Sequence, residues 1–234
     1  MKKQRIWELD ALRGLCILGM IVIHIVYDIF TFTSVDFNIP QWLFFIARYG
    51  HILFVVLSGI CVTLGSRCVK RGVLVYLCGM IITAVTVFMD YVLKMGTVRI
   101  WFGILHLLGV CMMLYPLFRN LPAWALALIG CVFVAIGYWF TTFTVGVNFL
   151  FPIGLRSGEI FTGADFFPVF PGLGTFLLGT ALGKSLYREK KTLFPKISQN
   201  NALIRFLSFV GRHSLEIYMV HQPIVFSIVM LLPI

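Results

Sequence analysis

Acidic side chains are scarce in this chain: nine Asp and Glu stand against nineteen Lys and Arg, and charged residues make up only 12% of its 234 residues. With 60% hydrophobic residues and a mean hydropathy of +0.97, no stretch has the composition of a soluble domain. That excludes an ordinary globular class and indicates a polytopic membrane protein. Metal-ligand spacing is missing too. Cys16, Cys61, Cys78, Cys111 and Cys131 lie inside apolar segments and Cys68 in a basic loop, so they read as small buried hydrophobes and no metal is expected. A small-residue cleavage site is lacking after the first apolar run, which is longer than a signal-peptide core, so that run is expected to be a retained first span. No internal repeat is visible, which weakens an inverted-repeat transporter reading. The net charge of +10 falls in short loops between apolar segments, where the positive-inside rule accounts for it, and nucleic acid is not expected as a partner.

What remains is a series of apolar runs. Seven meet the length of about 20 residues that a spanning helix needs, at 12–33, 41–65, 72–93, 100–118, 122–140, 166–184 and 214–233. The fold class expected is all-α, a polytopic membrane helix bundle of about seven transmembrane helices, with residues 1–234 forming a single transmembrane domain. Most Lys and Arg fall in alternate loops, from Lys2, Lys3 and Arg5 to the cluster between Lys184 and Arg212, while the opposite loops hold only Lys94, Arg99 and Arg156. That asymmetry puts the N-terminus in the cytoplasm. The Gly, Pro and Thr content of 141–165 leaves room for a re-entrant piece. Residues 200–213 read as a short amphipathic helix on the inner surface. Small residues about a turn apart in Ser58–Gly65 and Gly172–Gly183 predict close helix packing.

Charges inside the apolar runs are the functional signal. Each costs about 2.5 to 3.5 kcal/mol to insert, and such groups face a bundle interior or a water-filled cavity. In the first run, Arg13 and His24 are eleven residues apart, close to three helical turns, and Asp28 follows one turn later, so all three share one face. A carboxylate one turn from an imidazole can fix its tautomer and support a general base. The second run adds Arg48 and His51, the third ends on Asp90, and the fourth carries Arg99 with His106 two turns deeper on the same face. From the inner side His221 and Gln222 reach the midplane. Asp90 paired with Arg48 would serve as structural glue, and Asp165 as a helix cap or a substrate contact. Arginines at three depths, Arg13, Arg48 and Arg99, suit a long molecule with phosphates.

Several of these stretches carry a resemblance. RGLCILGMIVIH (Arg13 to His24) has the Arg-(ten residues)-His spacing of the acyltransferase-3 membrane enzymes. LDALRG (Leu9 to Gly14), His24 with Asp28, Arg48, RIWFGILHLLGV (Arg99 to Val110), DFFPVFPGLGTFLLG (Asp165 to Gly179) and GRHSLEIYMVHQP (Gly211 to Pro223) more closely resemble the bacterial members of the heparan-α-glucosaminide N-acetyltransferase catalytic-domain family. The resemblance implies a multi-pass acyltransferase of the cell membrane. It would move an acyl group, typically acetyl, from cytoplasmic acyl-coenzyme A (acetyl-CoA) to a sugar hydroxyl or amine on the far side. His24 matches the acyltransferase-3 histidine held to be catalytic, and Arg13 its partner arginine. In the eukaryotic heparan enzymes the key histidine lies in the loop before the second helix, where this chain has DFNIPQW and no histidine. His24, oriented by Asp28, is then expected as general base or acyl carrier, with Arg13 at the nucleotide phosphates. Arg48, Arg99 or His106 would meet the thioester carbonyl or the acceptor, and His221 and Gln222 would line the cofactor passage. Membrane lipids, acyl-CoA and a glycan or amino-sugar acceptor are the partners implied, with homo-oligomerisation left open. The competing reading is a proton-coupled transporter or flippase of a small anionic or glycan substrate, and a non-catalytic membrane scaffold is a third.

Overall fold

A computed structural model describes residues 5–33, 38–93, 98–155, 165–197, 199 and 201–231. The described residues form eight α-helices: α1 (Trp7–Phe32), α2 (Gln41–Leu64), α3 (Cys68–Leu93), α4 (Ile104–Phe118), α5 (Ala123–Phe140), α6 (Val169–Leu186), α7 (Ala202–Arg212) and α8 (Ser214–Leu231), with a 3-10 turn at Asn148–Ile153. The all-α membrane bundle is therefore borne out. Five helices, α1, α2, α3, α5 and α8, are long and apolar enough to cross a membrane. α4 has only 15 residues, and α6 carries four glycines and Lys184 that dilute its apolar character. Many large apolar side chains of these helices are exposed, among them Leu74, Phe88 and Leu128, as lipid-facing positions of a membrane helix must be.

The chain divides into two compact units, residues 1–57 with 189–234, and residues 58–188. In the first unit α1 packs against α7 and α8. α7 can press onto the start of α1 because two glycines meet there: a Cβ on Gly14 would stand 3.0 Å from the Gly211 nitrogen. Asn201 caps α7 by accepting from the Leu203 N–H at 2.9 Å. Its Leu203, Phe206 and Phe209 are exposed while Val210 and Gly211 are buried, the two-faced pattern expected for residues 200–213. Buried Glu8 ties the loop before α7 to α1, accepting from the Leu193 N–H at 2.8 Å and the Thr192 hydroxyl at 2.9 Å. α1 and α8 run in the same direction, since Asp28 meets Gln222 and Phe32 meets Phe226.

In the second unit α3 and α4 form an antiparallel hairpin, with Gly72 opposite Gly109 near one end and Asp90 opposite Arg99 at the other. α5 and α6 form another, closed by Gly130 against Gly174 and by Gly137 against Pro171. The two small-residue stretches meet as expected: Gly59 lies on the backbone of Phe176 and Thr180, and Gly183 on that of Ile60. α4 starts at Ile104 rather than near residue 100. Residues 98–103 are held off helical geometry: the Ile100 N–H donates to the Thr86 hydroxyl at 3.1 Å, and its carbonyl accepts from Thr83 at 2.8 Å. Lys184 donates to the carbonyls of Arg119 and Leu121, both at 2.6 Å, and so closes the C-terminus of α4. Of the segment weighed as re-entrant, 148–153 is the 3-10 turn, and 156–164 lie outside the described residues, as does Lys94.

Candidate active site

The first unit brings together four of the residues singled out in the sequence: His24 and Asp28 on α1, His221 and Gln222 on α8. The His24 and His221 rings meet edge to face with centroids 5.1 Å apart. One turn further along α1, the buried Asp28 carboxylate accepts from Gln222 Nε2 at 2.9 and 3.1 Å. The expected partnership of Asp28 with His24 is thus not the one formed. Spacing puts the two on one face, but both Asp28 oxygens face the amide of α8, and the neighbour of the His24 ring is another imidazole. His221 is buried, and its Nδ1 lies 2.6 Å from the Tyr218 carbonyl. Its Nε2 and the Gln222 Oε1 are buried with no hydrogen-bond partner among the described residues. Such orphaned atoms are uncommon in a folded interior and call for an explanation.

Eleven residues back along α1, Arg13 is paired with Asp10 at 3.7 Å, and Asp10 also meets Arg5 at 3.9 Å. Next to this end of α1 lies a cavity of about 530 Å³ between the first turn of α1 and α7, lined by Trp7, Gln199, Ser208, Arg205 and Arg212 among others. The indole Nε1 of Trp7, a residue that lines it, is buried without a hydrogen-bond partner among the described residues. Two guanidiniums and an unused N–H donor favour an anion. Sequence reading missed this place, because Arg205 and Arg212 counted only as inner-loop charge; the strong amphipathic pattern of α7 was the available signal. Arg48, in the first-unit half of α2, is exposed, with its guanidinium 5.9 Å from the centroid of the Tyr49 ring. His51 bonds the Ala47 backbone one turn before it.

The second unit holds the other two candidates. Arg99 Nε bonds Asp90 at 2.7 Å, so the glue expected between Asp90 and Arg48 is formed with Arg99 instead. Buried His106 is fully employed. Its Nδ1 accepts from the Gly103 N–H at 3.2 Å, which ties down the start of α4, and its Nε2 lies 3.4 Å from the Thr83 hydroxyl. Phe102 and Tyr76 flank the ring, and Gly79 leaves room for it. Asp165 does not cap α6, whose N-cap is Pro168; its carboxylate sits against Gly103 at the start of α4.

The family model described as heparan-alpha-glucosaminide N-acetyltransferase, catalytic, matches residues 5–223, nearly the whole chain. The chain belongs to that family. Membership gives it transferase activity of the acetyltransferase kind, and the five apolar helices give it a multi-pass membrane setting. A search of curated proteins and a search of solved structures each find no match. As a heparan-alpha-glucosaminide N-acetyltransferase family member, the chain has histidines on α1 and α8 in edge-to-face contact in one unit and an arginine-lined cavity in that same unit.

Proposed function

We propose that the protein is an integral acetyltransferase of the cell membrane that takes acetyl from acetyl-CoA on the cytoplasmic side and delivers it to a sugar hydroxyl or amine on the other. The observation that carries this reading is the cluster of His24, His221, Asp28 and Gln222 between α1 and α8, with Asp28 and His221 buried and His24 and Gln222 half-buried, in a chain of an acetyltransferase family. A scaffold would gain nothing from four polar groups gathered on two apolar helices, given the cost of placing such groups there. A thioester is already activated, so the protein must align the two reactants, accept a proton from the acceptor and stabilise the oxyanion. His24 carries the reaction as general base or as acyl carrier. Asp28 acts on Gln222.

The donor enters at the Arg13 end. There the Arg205 and Arg212 guanidiniums of the cavity offset the charge of the nucleotide phosphates, with Arg13, held by Asp10, at the same end of α1 and the Trp7 N–H as a neutral donor. The arm that carries the thioester then follows α1 towards His24, about 16 Å along the helix axis. Arg48 serves the same path from α2. Arg99 and His106 are assigned to the integrity of the second unit, because Asp90 and the start of α4 already hold them. The test is release of free coenzyme A by purified protein, with and without candidate sugars. Sugar-dependent release supports the reading. Sugar uptake without thioester consumption would assign the chain to the transporter class instead.

A further inference from the structure

We infer that His221 Nε2 and Gln222 Oε1 form the subsite for the acceptor, a pair of bare hydrogen-bond acceptors that receives the O–H or N–H donors of a sugar. This rests on the acetyltransferase reading and reverses the expectation that both residues line the donor's passage. The Tyr218 carbonyl can only accept, so at 2.6 Å the His221 Nδ1 carries the proton, and in the neutral ring Nε2 keeps a lone pair. A carboxylate likewise only accepts, so Asp28 draws the Gln222 amino group to itself through both contacts and leaves Oε1 as an acceptor with nothing to accept. Both lone pairs are buried, and His221 is only 7% exposed. An unfilled buried acceptor is costly because the hydrogen bond it had to water is not replaced, and two on consecutive residues mark a place kept for a ligand that brings hydrogens.

Position selects the acceptor over the donor. Along α1 the order is Arg13, His24, Asp28, and Gln222 hangs from Asp28, on the far side of His24 from the arginine end. A donor anchored by its phosphates near Arg13 presents its thioester at His24, and the group beyond it is the acceptor. A sugar held through one O–H or N–H on His221 can turn a neighbouring hydroxyl or amine, the one that reacts and gives its proton to His24, towards the His24 ring; the two ring centroids are 5.1 Å apart. Asp28 is then a positioning residue: it touches no substrate and fixes which end of the Gln222 amide faces the ligand.

Steady-state kinetics in both substrates, with a sugar that supports coenzyme A release, test this. Q222M is expected to raise the acceptor KM about tenfold or more, the loss of one buried hydrogen bond, with the acetyl-CoA KM within twofold. D28N, nearly isosteric, is expected to do the same, since an amide at 28 lets Gln222 turn its Oε1 inward. A rise in the acetyl-CoA KM instead would place the pantetheine amides on these atoms and overturn the assignment, as would unchanged KM values. Nitrogen-15 spectra of the histidine rings in nanodiscs give a reading independent of activity. A protonated Nδ1 assigned to His221, lost in H221Q, supports the subsite, and a protonated Nε2 overturns it. Absence of coenzyme A release from the wild type would refute the acetyltransferase reading, and the spectra then decide whether the bare acceptors exist.

Discussion

At the scale of single residues, the polar groups inside the apolar runs differ in what already holds them. His106 spends one nitrogen on the Gly103 N–H and sets the other against Thr83. His106→Ala is therefore expected to cost stability, about 1 to 3 kcal/mol by thermal unfolding, and to leave the acetyl-CoA KM unchanged. Among the described residues His24 makes no such bond. His24→Ala is expected to abolish acetyl transfer with expression and detergent size-exclusion profile intact; coenzyme A release near the wild-type rate would remove it from the mechanism. The shared face of Arg13, His24 and Asp28 was legible from spacing alone, because helix geometry is local. The partners of those side chains were not. Asp28 chose Gln222, 194 residues away, and Asp90 chose Arg99 across a hairpin, choices made by tertiary contacts that one helix cannot encode.

At the scale of elements, the apolar runs predicted the helix bounds to within about five residues, and at α4 a distant side chain accounts for the difference. α4 begins at Ile104 because Thr83 and Thr86 hold Ile100 in a non-helical conformation, which no feature of residues 98–103 themselves announces. The amphipathic pattern of 200–213 was clear, but not that α7 would close an arginine-lined cavity against Trp7. Two predictions follow from that helix. Arg205→Ala with Arg212→Ala is expected to raise the acetyl-CoA KM several-fold, more at low salt than at high, because the contact is between partly solvated charges. Gly211→Leu puts a side chain into the Asp10 and Gly14 backbone of α1. Since α7 must lift away, a loss above about 2 kcal/mol is expected in thermal unfolding, against little change for Leu203→Ala on the exposed face.

At the scale of the whole molecule, the charge asymmetry of the loops predicts an N-terminus in the cytoplasm, and on the proposed reading the α1 line would then run from a donor end at Arg13 to an acceptor end at Asp28 and Gln222. Five helices have the length and apolarity to cross a bilayer. α4 and α6, shorter or richer in glycine, belong to the same unit and pack on each other. The central claim is that acetyl crosses the membrane by way of His24. Proteoliposomes with uniformly oriented protein, acetyl-CoA on the face bearing the N-terminus and the sugar sealed on the other, measure this most directly. The account predicts acetylated sugar in the sugar compartment, matched by free coenzyme A in the donor compartment, and neither with His24→Ala. Acetylation only when both substrates share one face, or equal transfer by the variant, would contradict it.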